Sequence, residues 1–130
     1  MTELLIKEIA NWDRSDTRFP FLRNFDPYEG HSWAAGHAGF ADGNNQESSS
    51  EAINAWQAII LWGEATGNKT IRDLGIYLYT TEIEAINNYW FDLYKDIFSP
   101  SYGHNYASMV WGANTAMKSG GTVQIPKSTV

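Results

Sequence analysis

Two neighbouring stretches of the chain carry apolar residues at helical spacing. From Ser48 or Ser49 to Gly63 or Ala65, the positions Ala52, Ile53, Trp56, Ile59, Ile60 and Gly63 share one face, which predicts an amphipathic helix. Asn45 or one of the serines at 48–50 can cap its start. Residues 65–69 then turn the chain, with Gly67 suited to a left-handed position. A second helix is predicted from about Thr70 to Trp90, where Ile71, Leu74, Leu78, Ala85, Ile86 and Tyr89 lie on one face and Glu82 falls among them. Joined by so tight a turn, the two make an αα-hairpin. A short helix is expected at residues 3–11, with Leu4, Leu5, Ile9 and Ala10 on its inner side and Glu3 near its start. A further helical stretch is expected at Asn105–Met117, after the break at residues 99–103. Between Trp12 and Asn45 neither period holds, and Gly, Pro, Asp and Asn are frequent. Trp12, Phe19, Phe21, Phe25, Tyr28, Trp33 and Phe40 are too many large apolar groups for a solvated linker, so this is an ordered, irregular loop. No stretch argues for a strand or a repeat, and the polar, Gly-rich residues 118–130 carry no pattern.

Composition narrows the function classes. A chain of 130 residues is long enough for one small domain. Its 15 acidic and 9 basic residues give a net charge of −6, and no basic cluster is interleaved with aromatics, so no nucleic-acid partner is expected. The N-terminal apolar run is broken by Lys7 and Glu8, making neither a signal-peptide core nor a membrane span. The lack of cysteine excludes disulfides and thiolate chemistry. The 6 Trp, 7 Tyr and 6 Phe exceed what a small core needs, so some rings are expected to face a ligand. Trp and Tyr combine a flat apolar face with a polar edge, which suits sugar rings; burial in the core is the alternative for any one of them.

The densest chemistry lies in DGNNQESSSE, residues 42–51. Glu47 and Glu51 are four apart at the N-terminal end of the first long helix, so their side chains are expected one turn apart on one face. Taken alone, the pair could simply complement the helix dipole. With Asp42, Asn44, Asn45 and Gln46 before them and serines between, they also suit a site that binds a polyhydroxylated ligand and sets a carboxylate against water. Two carboxylates flanking a glycosidic bond are the usual hydrolytic apparatus, and two on one helical turn are too close to straddle it. One catalytic Glu with a supporting neighbour is therefore expected, the second catalytic carboxylate coming from elsewhere. Asp26 and His31 form a second constellation, readable as an acid/base or a metal pair, with His31 either a hydrogen-bonded residue that shapes the loop or a direct substrate contact. No metal and no cofactor is expected, since zinc would need further ligands that only folding could supply. No nucleophile elbow surrounds Ser48, Ser49 or Ser50, and no strand precedes Gly36, Gly39 or Gly43 to make a phosphate loop. Asn68-Lys69-Thr70 is a formal N-glycosylation triplet.

Two long motifs, RNFDPYEGHSWA and DGNNQESSSEA, make the run from about Phe19 to Trp90 resemble the catalytic region of glycoside hydrolase family 81, the endo-β-1,3-glucanases. The resemblance continues more weakly through residues 109–112. It implies an all-α region, part of an (α/α)6 toroid, here as a helical hairpin with a long irregular loop over residues 1–117, leaving 118–130 as an unassigned tail. It also implies endo-hydrolysis of β-1,3-glucan with inversion, at the cell wall or outside the cell, without a membrane partner. By position, Glu47 is expected as the general base and Glu51 as the neighbour that orients it or shares the task. Asp26 and His31 match residues lining the glucan cleft, and Tyr28, Trp33, Asp42, Asn45 and Gln46 are further substrate-binding candidates. The family's general-acid Asp lies in an Asp/His-rich motif upstream of RNFD, and nothing before Phe19 matches it. The chain is thus expected to be the middle of a larger catalytic domain, inactive alone. A non-catalytic glucan-binding fragment and a helical interaction protein are the alternatives.

Overall fold

The computed structural model describes residues 1–34 and 43–112, and is helix-rich. Its elements are α1 (Thr2–Ala10), β1 (Phe25–Asp26), β2 (His31–Ser32), β3 (Asn44–Gln46), α2 (Ser49–Thr66), α3 (Lys69–Ala85) and β4 (Val110–Gly112). A π-helical turn, Ile86–Trp90, continues α3 without a break. The strands form two antiparallel ladders, β1 with β2 and β3 with β4. Helices dominate as expected, but the all-α reading lacked both ladders.

The α2–α3 hairpin is the centre of the structure. At the turn Gly67 takes φ +68°, and the amide of Asn68 closes back on Gly63 O at 2.8 Å, ending α2 as the glycine foretold. Asn68 then caps α3, its Oδ1 accepting from the Ile71 amide at 3.2 Å. The helices touch backbone to backbone. A Cβ on Gly63 would stand 2.6 Å from Arg72 Cα, and one on Gly75 would stand 2.8 Å from Ile60 N. Trp56, Ile59, Ile71, Leu74 and Leu78 fill the seam, joined by Ile6, Ala10, Leu22 and Phe25 from the N-terminal region.

Two expectations are corrected. In α1 the inner residues are Ile6 and Ala10 with Ile9 beside them, whereas Leu4 and Leu5 are 52% and 63% exposed; a nine-residue helix offered two rival stripes, and packing selected the Ile6–Ala10 spacing. The helical stretch expected from Asn105 contains no helix over 105–112: Val110, Trp111 and Gly112 pair with Gln46, Asn45 and Asn44 instead. Residues 113–117 of that stretch, and the 118–130 tail, lie outside the described residues. The first part of the irregular segment is ordered by polar groups as well as rings: buried Asn11 donates from Nδ2 to the carbonyls of Asp13 and Phe19, both at 2.9 Å. None of the described helices is long and apolar enough to cross a membrane.

Candidate functional site

The β1–β2 hairpin carries the first group of residues. Asp26 faces His31 across the ladder, and Gly30, at φ +76°, closes the turn. Asp26 Oδ1 accepts from the amides of Tyr28 (2.9 Å) and Glu29 (3.3 Å), an Asx turn that shapes the loop. Its other oxygen accepts from Trp33 Nε1 at 3.3 Å, so one carboxylate sets both the turn and the indole. Trp33 is half-buried and packs against Gly112, where a Cβ would stand 2.6 Å from its ring.

His31 is fully buried. Its Nδ1 lies 2.8 Å from Ser32 O, and a carbonyl can only accept, so Nδ1 carries the proton. Nε2 has no partner among the described residues, and neither do the buried Nε1 of Trp90 and Oδ1 of Asn88. Trp33, Trp90 and Tyr89 surround the imidazole edge-on, with centroids 4.5, 5.2 and 5.8 Å away. Burial, then the negative charges of Glu29 and Asp26, push the Tyr89 phenol above its usual range, keeping it a neutral donor.

Below the hairpin lies a buried polar relay. Gln46 Nε2 donates to Ser32 Oγ at 2.7 Å, and Ser32 Oγ donates to Glu82 Oε1 at 2.8 Å. Glu82 Oε2 accepts from Trp56 Nε1 at 2.6 Å. The relay joins β2, β3, α2 and α3 at one point.

The segment carrying the two glutamates leaves from there. Asn45 O accepts from the Ala34 amide at 2.7 Å, which ties β3 to the end of the hairpin strand. Asn45 is half-buried in register with Trp111, and Gln46 is buried. Glu47 follows, exposed, ahead of the helix: Ser48 is the N-cap residue, without a side-chain cap bond, and α2 starts at Ser49. The expected pair one helical turn apart is therefore corrected, because only Glu51 is helical. Glu51 is exposed in the first turn, its amide donating to Ser48 O at 3.1 Å. Tyr28 projects from the hairpin 96% exposed. Asp42 lies outside the described residues.

The structure thus brings Asp26, His31 and Trp33 into one cluster and connects Gln46 to it through Ser32. From sequence, Ser32 carries no expected role, Trp56 is only a core residue, Trp90 only a helix end and Glu82 only a charge on an apolar stripe. That misplaced charge was the available signal, since a carboxylate on a core face needs buried donors. An open depression of about 420 Å³ lies elsewhere, beside α1, lined by Met1, Glu3, Leu4, Lys7, Arg18 and Trp62 among others. Among the described residues no three His, Asp or Glu side chains converge as metal ligands.

Comparison with known proteins supplies the remaining information. Residues 1–116 match the family model of the glycosyl hydrolase family 81 C-terminal domain. A glucan endo-1,3-β-D-glucosidase of Acetivibrio thermocellus is 94% identical over 112 residues, 86% of this chain and 14% of that protein. One of Thermobifida fusca is 49% identical over 111 residues, 85% of this chain and 15% of that protein. A solved glycoside hydrolase family 81 structure from Clostridium thermocellum, a glutamate-to-alanine variant, superposes with a TM-score of 0.82 at 93% identity, covering 85% of this chain and 16% of that one. The chain spans about one seventh of the length of these bacterial relatives.

Proposed function

We propose, because this chain belongs to glycoside hydrolase family 81, that it forms part of the cleft and the base side of the catalytic centre of an endo-β-1,3-glucanase. The observation that carries the reading is the 94% identity, over 86% of this chain, to a protein named for that activity. Its helical hairpin is then a portion of an (α/α)6 toroid spanning residues 1–117, and the glucan is met outside the cell or at the cell wall.

In this reading Glu47 is the general base. It is exposed immediately after a strand whose last residue, Gln46, is buried and hydrogen-bonded, so its carboxylate can reach water from a fixed backbone. Glu51 stands at the start of α2, where it orients Glu47 or shares its task. Asp26 and His31 build the cleft wall, Trp33 and Tyr28 offer ring faces to sugars, and Asp42, Asn45 and Gln46 add polar contacts or support. Inversion requires an acid carboxyl roughly 6.5–9.5 Å from the base, with water between base and sugar.

The test places this segment in the full-length A. thermocellus relative, in exchange for its matching residues. Glu47→Gln is expected to cut laminarin hydrolysis by about a hundredfold or more while folding is retained. Near-wild-type turnover by that variant would refute the base assignment, and would leave a helix-capping role or an interaction protein as the reading. A second reading, glucan binding without catalysis, draws on the exposed Tyr28 and half-buried Trp33. Pull-down on insoluble β-1,3-glucan separates the two: equal, poor binding by the wild type and Trp33→Ala ends it.

A further inference from the structure

We propose that Glu82 is a positioning residue for Glu47, acting through Ser32 and Gln46. The inference rests on the reading of Glu47 as the general base. Glu82 is fully buried in the last turn of α3, on the stripe that otherwise carries Ile71, Leu74, Leu78 and Ala85. An apolar side chain there would serve the hairpin better, since a buried carboxylate loses its hydration. Its partners among the described residues are two neutral donors, Ser32 Oγ and Trp56 Nε1.

The order of donation in the relay is fixed. Ser32 Oγ accepts from Gln46 Nε2, so its own hydrogen points to Glu82 Oε1. Glu82 thereby sets the hydroxyl, and the hydroxyl holds the amino end of the Gln46 amide inward. Gln46 is the last residue of β3 and Glu47 is the next. Gln46 is buried and Glu47, the first residue past the strand, is exposed, so holding the Gln46 side chain in the interior fixes the backbone from which Glu47 projects. A carboxylate on α3 thus governs the aim of the exposed glutamate. The Trp56 contact is a separate arm that ties Glu82 to α2 and belongs to the stability of the hairpin.

The experiment measures kcat, KM and Tm for Ser32→Ala, Glu82→Gln, their double mutant and Ser32→Thr in the full-length relative carrying this segment. Each single variant is expected to lower kcat about tenfold or more with KM little changed. The double mutant is expected to be no slower than the worse single, because both cut one relay. Ser32→Thr, which keeps the hydroxyl, is expected to restore most of kcat. Lowered Tm with wild-type kcat for Ser32→Ala would overturn the proposal, as would additive losses in the double mutant. Should Glu82→Gln fail to fold, the Ser32 pair alone decides. Glu47→Gln, measured alongside, separates the two claims: if it is inactive while Ser32→Ala keeps its kcat, the relay fails and the base assignment stands.

Discussion

Asp16 and Asp92 show how single carboxylates order the irregular parts of this chain. Asp16 bonds with Arg18 at 2.9 Å and with Lys7 at 2.7 Å, and those bonds hold its carboxyl far below the ordinary value. Asp92, at φ +45°, is buried, which by itself raises its carboxyl. Amides of Ile97, Phe98 and Asp96 donate to it at 3.0, 3.2 and 2.9 Å and outweigh that, leaving it below the usual range. A depressed folded-state value means stability that is complete above the unfolded carboxylate range, near 3.8, and lost as pH falls through the folded value. Asp16→Asn is therefore expected to lower Tm at pH 7 and to flatten its decline toward pH 3. Parallel curves of Tm against pH for the wild type and the variant would show that Asp16 contributes nothing to acid sensitivity.

The α2–α3 hairpin was legible because both helices run long enough to show their period, and because Gly67 marks the turn. Shorter elements were not. Strands of two or three residues cannot display a period of two, and β4 depends on partners more than sixty residues earlier in the chain. The π-helical turn at Ile86–Trp90 leaves no pattern in the sequence, yet it brings Trp90 as well as Ile86 inside. The glutamate pair was misread by this same margin: starting α2 at Ser49 takes Glu47 out of the helix. What the sequence did not disclose at all is how closely the helices approach. Helix propensity favours Gly63→Ala by about 1 kcal/mol, but the new Cβ would press into the Arg72 backbone, which cannot rotate away. Overpacking of this kind costs about 1–3 kcal/mol or more, so a net loss of Tm is expected. Gly67→Ala meets nothing within 4 Å and bears only the left-handed strain, about 1 kcal/mol. Thermal unfolding of the two variants compares the effects, and a more stable Gly63→Ala would mean that the helices can separate without cost.

At the scale of the whole molecule, the proposed reading makes the described residues one wall of a site. Asp26, His31, Trp33 and Gln46 are linked through backbone ladders and the Ser32–Glu82 relay, so the wall can keep its geometry within this chain. Hydrolysis asks for more: a second carboxyl on the far side of the sugar, which the family resemblance locates upstream of Phe19, where no matching motif occurs here. The chain also leaves Leu4, Leu5, Leu61 and Leu93 more than half exposed, surface that in a longer protein is available for packing. These 130 residues, purified on their own, are thus expected to release sugar from laminarin at the rate of buffer alone, while the same segment within the full-length relative supports turnover. Reducing-sugar assays on matched molar amounts of the two make the comparison. Sustained turnover by the isolated chain would mean that both carboxylates lie within it, and the acid would then have to be sought among its own aspartates, with Asp26 the first to replace.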